Sequence, residues 1–358
     1  MNKRLQKLRA ALKQKGLEGL LVTQGANVRY LSSFDGGSDG YLIITSKKAI
    51  LATDSRYWEQ AEIEAPEFEL FKTKGSYTEW FPDLLGKLRI ESLGFEGVNV
   101  TFEYHRTLKS ALKKEQVAVK LVSITGLVET IRMVKEPAEI ALMKKAAEIT
   151  DAVFMSVAPE LKAGMTELQI AWALEKAFHE NGSEGLAFPT IVGSGPNAAL
   201  PHAKPSGRTV KEGETIVIDM GGKYQGYDND ITRTICLGKA DGKLKEVYNV
   251  VLEAQQTAVK QIRAGMTGKE ADSIAREIII KAGYGETFGH SLGHGVGFQE
   301  HEQPYLSASS KQKLSDGMVF TVEPGIYLTG WGGVRIEDTV MMENGRAVPL
   351  NKALKMEF

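Results

Sequence analysis

One pattern in the C-terminal two thirds of this chain occurs twice. The segment LKAGMTELQIAWALEKAFHENG at 161–182 resembles IRAGMTGKEADSIAREIIIKAG at 262–283, at an offset of 101 residues. Further along, EGETIVIDMG at 212–221 resembles DGMVFTVEPG at 316–325, at an offset of 104 residues. Two matches in the same order and at nearly the same offset indicate a duplicated helix-and-strand unit. We expect the two copies to face each other around a pseudo-twofold axis.

The helix of each copy begins at the same point of the pattern. Both copies place AGMT at a turn and follow it with a capping box, Thr166 with Gln169 in the first copy and Thr267 with Glu270 in the second. In a capping box the two side chains satisfy the free N–H groups at a helix N-terminus. The pattern therefore predicts one helix after Thr166 and another after Thr267.

The N-terminal third follows a different pattern. GLLVT at 19–23, YLIIT at 41–45 and AILAT at 49–53 are short apolar runs typical of strands, whereas SRYWEQAEIEA and YTEWFPDLLGKL have the spacing of helices. We predict an α+β fold with two domains, an α/β domain at 1–127 and the duplicated domain at 128–358.

Composition excludes several classes of partner. The formal net charge is −1, so the charge balance does not favour nucleic acid or an anionic membrane. The single cysteine, Cys236, excludes an internal disulfide and fits a reducing compartment. No apolar run approaches the ~18 residues of a membrane span, and the N-terminus lacks the apolar core of a signal peptide. We expect a soluble cytoplasmic protein with neither nucleic acid nor membrane as partner.

The two matched strands each end in a carboxylate, Asp219 in the first copy and Glu323 in the second. Another acidic residue follows each of them, Asp230 eleven residues later and Glu337 fourteen residues later. A return hairpin in each copy would bring all four carboxylates together. They would repel each other and their pKa values would rise, unless one or two dications bound there. The set predicts a metal site, although any single member could be a solvated surface charge.

Histidines are concentrated in one glycine-rich stretch, GHSLGHGVGFQEHEQP at 289–304. Three of the six histidines of the chain, His290, His294 and His301, lie within it. Glycine lets the backbone approach metals and substrate closely. The stretch can therefore supply an imidazole ligand, most directly from His294, to the predicted metal site.

These segments resemble a known family. The blocks IDMGGKYQGYDNDITRT, GHSLGHGVG, HEQP, TVEPGIY and GGVRIEDT look like the five signature blocks of the pita-bread metallopeptidases, which include methionine aminopeptidase, aminopeptidase P and Xaa-Pro dipeptidase. NVRYLSSFDGGSDGYLIIT and TDSRYWEQA resemble the creatinase-like N-terminal domain of the Xaa-Pro branch. The resemblance implies a creatinase-like domain followed by a pita-bread domain. It places the family's metal ligands at five positions: Asp219, Asp230, His294, Glu323 and Glu337.

The same resemblance implies roles for the remaining histidines. His202 matches a histidine that contacts the substrate near the scissile bond, and His301 matches one that stabilises the developing oxyanion. His290 stands where the aminopeptidase P branch often carries a histidine, and an ordinary hydrogen-bonded supporting group is the alternative. Glu323 is the candidate to take a proton from the attacking water and pass it to the leaving nitrogen.

Four further positions carry two interpretations each. Arg335 matches an active-site arginine that holds Asp230 or binds substrate. Tyr327 either reaches the cleft or is a core tyrosine. Thr232 either donates a hydrogen bond to a metal-bound carboxylate or is an ordinary strand residue. Phe188 either lines a proline pocket or belongs to the apolar core.

The function implied by the resemblance is hydrolysis of the Xaa-Pro bond at the N-terminus of peptides by a hydroxide that bridges two divalent cations. The oxygen-rich ligand set favours Mn²⁺, with Co²⁺ or Zn²⁺ as alternatives. A homodimer is also implied. Tyr305 stands where some dipeptidases of the branch carry an arginine, which favours an aminopeptidase over an Xaa-Pro dipeptidase (prolidase).

Three other functions are weaker alternatives. The complete ligand set argues against a metal-free creatinase-like amidinohydrolase, and it also argues against a non-enzymatic binding protein of the pita-bread fold. The N-terminal domain argues against a methionine aminopeptidase, because those enzymes usually lack it.

Overall fold

The computed structural model of the chain describes residues 3–356. They divide into two compact units, the first ending at Arg132 and the second beginning at Met133. Among these residues, none of the helices combines the length and the apolar content that crossing a bilayer requires.

The first unit is built around one six-stranded sheet, with strand order β4-β3-β2-β1-β5-β6. Strand β1 pairs antiparallel with β2 and parallel with β5, so the sheet is mixed. Its strands are β1 (Gly19–Val22), β2 (Gly40–Thr45), β3 (Ala49–Thr53), β4 (Glu69–Lys72), β5 (Ser92–Glu96) and β6 (Lys120–Ile124). Its helices are α1 (Lys3–Gln14), α2 (Gly25–Ser32), α3 (Trp58–Glu64), α4 (Tyr77–Leu88), α5 (Phe102–Lys114) and α6 (Leu127–Met133).

The sequence predictions for this unit are confirmed at the level of elements. The three apolar runs form β1, β2 and β3, and the two segments with helical spacing contain α3 and α4. The predicted domain boundary between residues 127 and 128 lies at the start of α6, whereas the two compact units divide close to its end. The domain limits themselves stay a prediction.

The second unit combines four long helices with several antiparallel sheets. The helices are α7 (Pro137–Val157), α8 (Glu167–Glu180), α9 (Gly242–Gln261) and α10 (Gly268–Lys281). The strands before α9 are β7 (Ile191–Ser194), β8 (Thr215–Met220), β9 (Lys223–Tyr224), β10 (Tyr227–Asp228) and β11 (Ile231–Cys236). Those after α10 are β12 (Gly293–Gly295), β13 (Glu302–Leu306), β14 (Val319–Val322), β15 (Gly325–Leu328), β16 (Gly332–Arg335), β17 (Asp338–Glu343) and β18 (Arg346–Pro349).

The predicted duplication is present in this unit. In the first half β8 lies between β7 and β11, and in the second half β14 lies between β12 and β17, with antiparallel pairing throughout. Thr166 caps α8 and Thr267 caps α10, each within a complete capping box. The same helix start and the same three-stranded arrangement therefore occur twice.

Both expected return hairpins are also formed. In the first, β8 and β11 pair so that Asp219 lies opposite Thr232. In the second, β14 and β17 pair so that Val322 lies opposite Asp338. Asp230 and Glu337 directly precede the returning strands, so each hairpin carries its second carboxylate back to the end where the first one lies.

Candidate active site

Alternation along the two central strands turns the carboxylates away from the helices. In β8, the residues Ile216, Ile218 and Met220 pack with α8 in one apolar cluster, so Asp219 projects from the opposite face. In β14, Phe320 and Val322 pack in the cluster of α9 and α10. By the same alternation Thr321 and the following Glu323 project to the other side. Because the apolar residues of each strand pack against the helices, the polar residues that alternate with them point into a shared space.

That space is a cavity of about 490 Å³. It is lined by all five of the predicted metal ligands, Asp219, Asp230, His294, Glu323 and Glu337. It is also lined by five other residues singled out from the sequence, Phe188, His202, His290, His301 and Arg335. Thr232 and Tyr327 do not line the cavity themselves but form hydrogen bonds to residues that do.

His294 is the centre of a compact group of possible metal ligands. One ligand atom each of Asp230, His294 and Glu337 lies within 4.8 Å of the other two, and all three residues are buried. The Nε2 atom of His294 is 3.7 Å from Asp230 Oδ2 and 3.3 Å from Glu323 Oε1. Its Nδ1 atom is 3.2 Å from the carbonyl oxygen of Gly295. A proton on Nδ1 would donate to that carbonyl and leave the Nε2 lone pair free for a cation.

Three buried carboxylate oxygens of this site have no hydrogen-bond partner among residues 3–356. They are Asp219 Oδ1, Asp230 Oδ1 and Glu337 Oε1. Burial raises the pKa of Asp230 and of Glu337 well above the usual values, and the mutual repulsion of the carboxylates adds to the effect. Buried carboxylates without partners are costly, and oxygen-ligated divalent cations remove that cost. The residues present therefore fit a metal centre.

Arg335 organises the side of the site around Asp219. Its Nη2 donates to Asp219 Oδ2 at 2.6 Å, in a pair that is almost fully buried. Its Nη1 donates to the hydroxyl of Tyr327 at 2.9 Å, and its Nε to Thr232 Oγ1 at 3.0 Å. The sequence analysis offered Asp230 or the substrate as the partner of Arg335; the ion pair that the guanidinium forms is with Asp219, and the role in substrate binding stays a prediction.

Of the two interpretations of Thr232, the structure contains the hydrogen bond to a carboxylate of the site. Its hydroxyl donates to Glu337 Oε2 at 2.6 Å, while the other oxygen of Glu337 stays without a partner. The bond fixes the rotation of the carboxylate, so the free oxygen keeps its direction toward the cavity.

Glu323 is held by the second copy of the repeat. Thr321 donates to Glu323 Oε1 at 3.0 Å, and it also accepts the backbone N–H of His294. Burial would raise the pKa of Glu323, but the hydrogen bond and the charge of His294 outweigh it and lower the pKa to about 2. Sequence reasoning missed Thr321, although its position two residues before Glu323 on the same strand face was a usable signal.

The other histidines differ in how firmly they are held. His290 Nε2 lies 2.9 Å from the Tyr327 hydroxyl, and its Nδ1 lies 2.8 Å from the carbonyl oxygen of Ser291. Burial lowers the pKa of His290. His301 stands edge-on to His294, with ring centroids 3.9 Å apart. Partial burial lowers the pKa of His301 to about 4, and the neighbouring His294 adds to the effect, so its imidazole is neutral near pH 7.

The mouth of the cavity carries polar groups of both signs. Lys204, Glu300 and Tyr305 line it together with Phe188. The sequence analysis noted Phe188 and Tyr305 but missed Lys204. The available signal was its position in PHAKP, two residues after His202 and between two prolines.

Comparison with known proteins agrees with this geometry. Residues 141–344 match the model of Metallopeptidase family M24, and residues 4–134 match the Creatinase/Prolidase N-terminal domain. An Xaa-Pro dipeptidase of Pyrococcus horikoshii is 38% identical over 353 residues, covering 98% of this chain and 97% of that protein.

Solved structures extend the likeness to the whole fold. The Xaa-Pro dipeptidase from Bacillus anthracis superposes with a TM-score of 0.94 at 38% identity, over 99% of this chain and 98% of that one. The X-Pro aminopeptidase from Thermotoga maritima superposes with a TM-score of 0.88 at 39% identity, over 97% and 99%. With the carboxylates and His294 gathered in one cavity, these matches show that the chain is an enzyme of metallopeptidase family M24, built from a Creatinase/Prolidase N-terminal domain and a pita-bread domain.

Proposed function

We propose that this metallopeptidase hydrolyses the Xaa-Pro bond at the N-terminus of peptides, as an aminopeptidase P-like enzyme. The observation that carries the proposal is the set of buried carboxylate oxygens without partners, which lies beside His294 at the base of a peptide-sized cavity. Relatives named Xaa-Pro dipeptidase and X-Pro aminopeptidase match over nearly the full length of the chain, which supports the choice of bond.

We infer that Asp219, Asp230, His294, Glu323 and Glu337 hold two divalent cations. Four carboxylates and one imidazole form an oxygen-rich set, which favours Mn²⁺ over Co²⁺ or Zn²⁺. Cations bound there would lower the pKa of water and withdraw electron density from the scissile carbonyl. This loading also explains how so many carboxylates can be buried at one place.

The residues of the chain carry the remaining steps of the proposal. Oε2 of Glu323 is the oxygen that neither Thr321 nor His294 engages, so it can accept a proton from the attacking water and deliver it to the departing proline nitrogen. The neutral imidazole of His301 donates a hydrogen bond to the developing oxyanion. His202 lines the cavity and contacts the peptide near the scissile bond.

The Xaa-Pro bond itself explains why a dedicated cavity is needed. Proline has no backbone N–H and a fixed φ, so a peptidase that grips its substrate through that N–H cannot bind it. A pocket wall with Phe188 offers an apolar surface for the proline ring instead.

A second candidate is an Xaa-Pro dipeptidase, and one observation favours it. Lys204 lines the cavity, and its ammonium has no ion pair or hydrogen bond among residues 3–356. A free lysine at this place can pair with the carboxylate of a dipeptide, in the absence of the arginine that Tyr305 replaces.

Peptide hydrolysis by the metal-stripped protein, with and without added Mn²⁺, separates these candidates. We expect Mn²⁺-dependent cleavage of an Xaa-Pro-Yaa tripeptide. Cleavage of Xaa-Pro alone would favour the dipeptidase, and in that case Lys204→Met should raise KM for Xaa-Pro but not for its C-terminal amide. A folded protein that cleaves neither peptide with Mn²⁺, Co²⁺ or Zn²⁺ would contradict both candidates.

We also propose that the enzyme is a cytoplasmic homodimer. The resemblance to the Xaa-Pro branch and the single cysteine, typical of a reducing compartment, support this assignment. Sedimentation equilibrium of the purified protein and fractionation of cells that produce it would test the two parts separately.

A further inference from the structure

A buried ion pair lies directly behind the segment that carries His301. Lys135 Nζ is 2.7 Å from Glu302 Oε1, and the two side chains are only 1% and 5% exposed. Glu302 is the residue after His301 and the first residue of β13. Neither Lys135 nor Glu302 belongs to the proposed ligand set or to the proposed proton path.

Lys135 is fixed at its backbone as well as at its side chain. Its N–H donates to the carbonyl oxygen of Gly317 at 2.8 Å, and the preceding Val134 forms a β-bridge with Met318. Met318 directly precedes β14, the strand that leads to Glu323. The backbone of Lys135 is therefore held by Gly317 and Met318, at the start of β14, and its position does not depend on the segment that carries His301.

The Glu302 side chain lies where nearby glycines leave room for it. It lies opposite Gly295 in the pairing of β12 with β13. Its carboxylate rests against Gly297, where an added Cβ would be 2.5 Å from Oε1. The Glu302 carboxylate, which directly follows the segment 297–301, thus also contacts Gly297 at the start of that segment. Its ion pair with Lys135 holds this contact in a fixed position relative to β14.

Few described contacts hold the His301 side chain itself. Residues 297–301 form neither helix nor strand. The described contacts of the His301 ring are the edge-on packing against His294 and an approach of 4.0 Å to Glu300, which is itself partly exposed. The place of the imidazole therefore depends on its backbone. Before His301 the backbone is anchored at Gly297, whose carbonyl oxygen accepts the N–H of Asp228 at 2.8 Å, and by the ring of Phe298, 4.4 Å from that of Tyr227. After His301 the buried anchor is the neighbouring Glu302.

Stability alone is a poor reason for such a pair. Removing two charges from water costs about as much as their attraction returns, and apolar residues of similar volume are often equally stable. A buried pair does, however, define direction and distance more strictly than apolar packing does. We propose that Lys135 is a positioning residue, which acts through Glu302 to hold the His301 imidazole beside His294 for the reaction. This inference rests on the proposed function for its effect on rate, but not for its effect on geometry.

The test is a cycle of variants in the metal-loaded enzyme. We expect Lys135→Met to lower kcat on the tripeptide roughly 10- to 10²-fold, the range for a misplacement of about 1 Å, with unchanged metal content and little change in KM. In a His301→Ala background, Lys135→Met should cost almost nothing more, because the residue it positions is gone. Losses that multiply would overturn the proposal, since Lys135 would then act on the metals or on the fold.

Two further variants keep the test decisive. If Lys135→Met folds poorly, the double variant Lys135→Met with Glu302→Leu also removes the buried negative charge that has lost its lysine, and we expect it to fold while kcat stays low. Wild-type kcat in that double variant would refute the positioning role. Arg208→Met breaks the less buried Arg208–Glu214 pair of 2.5 Å elsewhere in the unit, and it should leave kcat unchanged.

A structural readout separates this inference from the proposed function. In a crystal structure of the Lys135→Met enzyme we expect the His301 imidazole to leave its contact with His294, while the five proposed ligands stay in place. That displacement can be seen even if the wild-type enzyme cleaves no Xaa-Pro peptide. An unmoved imidazole would contradict the inference and leave the proposed function intact.

Discussion

The two copies of the repeat have the same backbone bonds at the turn before the helix. In the first copy the N–H of Gly164 donates to the carbonyl oxygen of Val210 at 2.9 Å, and in the second Gly265 donates to Leu314 at 2.8 Å. Each bond ties the AGMT turn to the segment that enters the central strand. The two copies therefore share a frame, made of the AGMT turn, the helix after it and the central strand, that places the end of β8 or β14 at the cavity.

The carboxylates delivered by that frame have different partners. Asp219 of the first copy pairs with the guanidinium of Arg335, whereas Glu323 of the second approaches the imidazole of His294. Burial raises the pKa of Asp219 despite the arginine, while the pKa of Glu323 is lowered to about 2. The repeated frame determines the position of each carboxylate. Residues outside the repeated pattern determine its partner and its pKa. The acid/base role proposed for Glu323 rests on its free Oε2 oxygen beside the site and not on this lowered pKa.

The first helical position shows the same divergence. Glu167 begins α8, and its fully buried carboxylate accepts hydrogen bonds from the side chains of Ser194 and Ser206. Gly268 begins α10, where an added Cβ would collide with the carbonyl oxygen of Tyr305. In the first copy the side chain at this position thus anchors the segments around Ser194 and Ser206 by hydrogen bonds. In the second copy the absence of a side chain allows β13 to pass close to the start of α10.

The largest effect expected from the comparison concerns the two strand-end carboxylates. Glu323→Gln should lower kcat by about 10²- to 10⁴-fold, because a positioned acid/base group contributes that much and an amide cannot accept the proton. Steady-state hydrolysis of a tripeptide, with the metal content measured in parallel, checks this. Glu343→Gln, on an exposed glutamate at the end of β17, is the control and should leave kcat unchanged. Full activity in Glu323→Gln would remove the proposed difference between the copies.

A second prediction uses the first helical positions of α9 and α10. Gly268→Ala should destabilise the protein by about 3 kcal/mol, the upper end of the usual overpacking cost, because the Cβ meets backbone and Ser310 Oγ at 2.6 Å. Gly242→Ala is a matched control, because it also stands first in a helix after a capping residue and has open space around it. It should stabilise by about 0.4–1 kcal/mol. Urea unfolding of both variants measures the two changes in the free energy of unfolding. Equal changes would show that the close approach of Tyr305 to Gly268 does not destabilise the alanine variant.

A third prediction concerns the polar anchor of the first copy. Glu167→Gln should cost about 1–3 kcal/mol at pH 7, because an amide N–H₂ would face the donors that the carboxylate now satisfies. Burial raises the pKa of Glu167, but the hydrogen bonds from Ser206 and Ser194 outweigh it and bring the pKa below the usual 4.5. A lowered folded-state pKa means that the stabilisation is complete above about pH 4.5 and is lost as the pH falls through the folded-state value.

The measurement is the free energy of unfolding of wild type and Glu167→Gln between pH 7 and pH 3. The gap between the two should narrow below pH 4.5. A gap that stays constant over the range would show that the charge of Glu167 does not stabilise the fold. The second copy has glycine at the equivalent position, so Gly268→Ala should show no such narrowing.

The parts of the fold that the sequence predicts are those in which neighbours along the chain decide the outcome. The capping boxes at Thr166 and Thr267, the apolar strands and both return hairpins depend on local pattern, and all of them formed as predicted. Repetition strengthened these predictions, because each copy supported the other. Strand alternation turns Asp219 and Glu323 away from the helices toward one cavity, and the returning strands bring Asp230 and Glu337 back to it.

The parts that the sequence could not predict depend on pairs of residues that are far apart along the chain. Arg335 had two plausible roles, and its contact with Asp219 became visible only when β16 and β8 were packed together. Lys135 and Glu302 are 167 residues apart, and nothing in either surrounding motif indicates a buried pair. Lysine and glutamate are expected on the surface by default, so local reasoning assigns both to solvent.

The smallest expected effect tests whether the repeated frame is equivalent in energy as well as in shape. Thr166 Oγ1 accepts the N–H of Gln169 at 3.1 Å, and Thr267 Oγ1 accepts the N–H of Glu270 at 3.2 Å. Loss of such a cap usually costs about 0.5–2 kcal/mol, so Thr166→Ala and Thr267→Ala should each destabilise by about 1 kcal/mol. Thr267 Oγ1 also donates to Glu270 Oε2 at 2.8 Å, but this bond is exposed to solvent and adds little. The two losses in free energy of unfolding should therefore agree closely, and the double variant should show their sum. A clearly larger loss for Thr267→Ala would mean that the helix start in the second copy depends more on its cap, since Gly268 is a poorer helix former than Glu167.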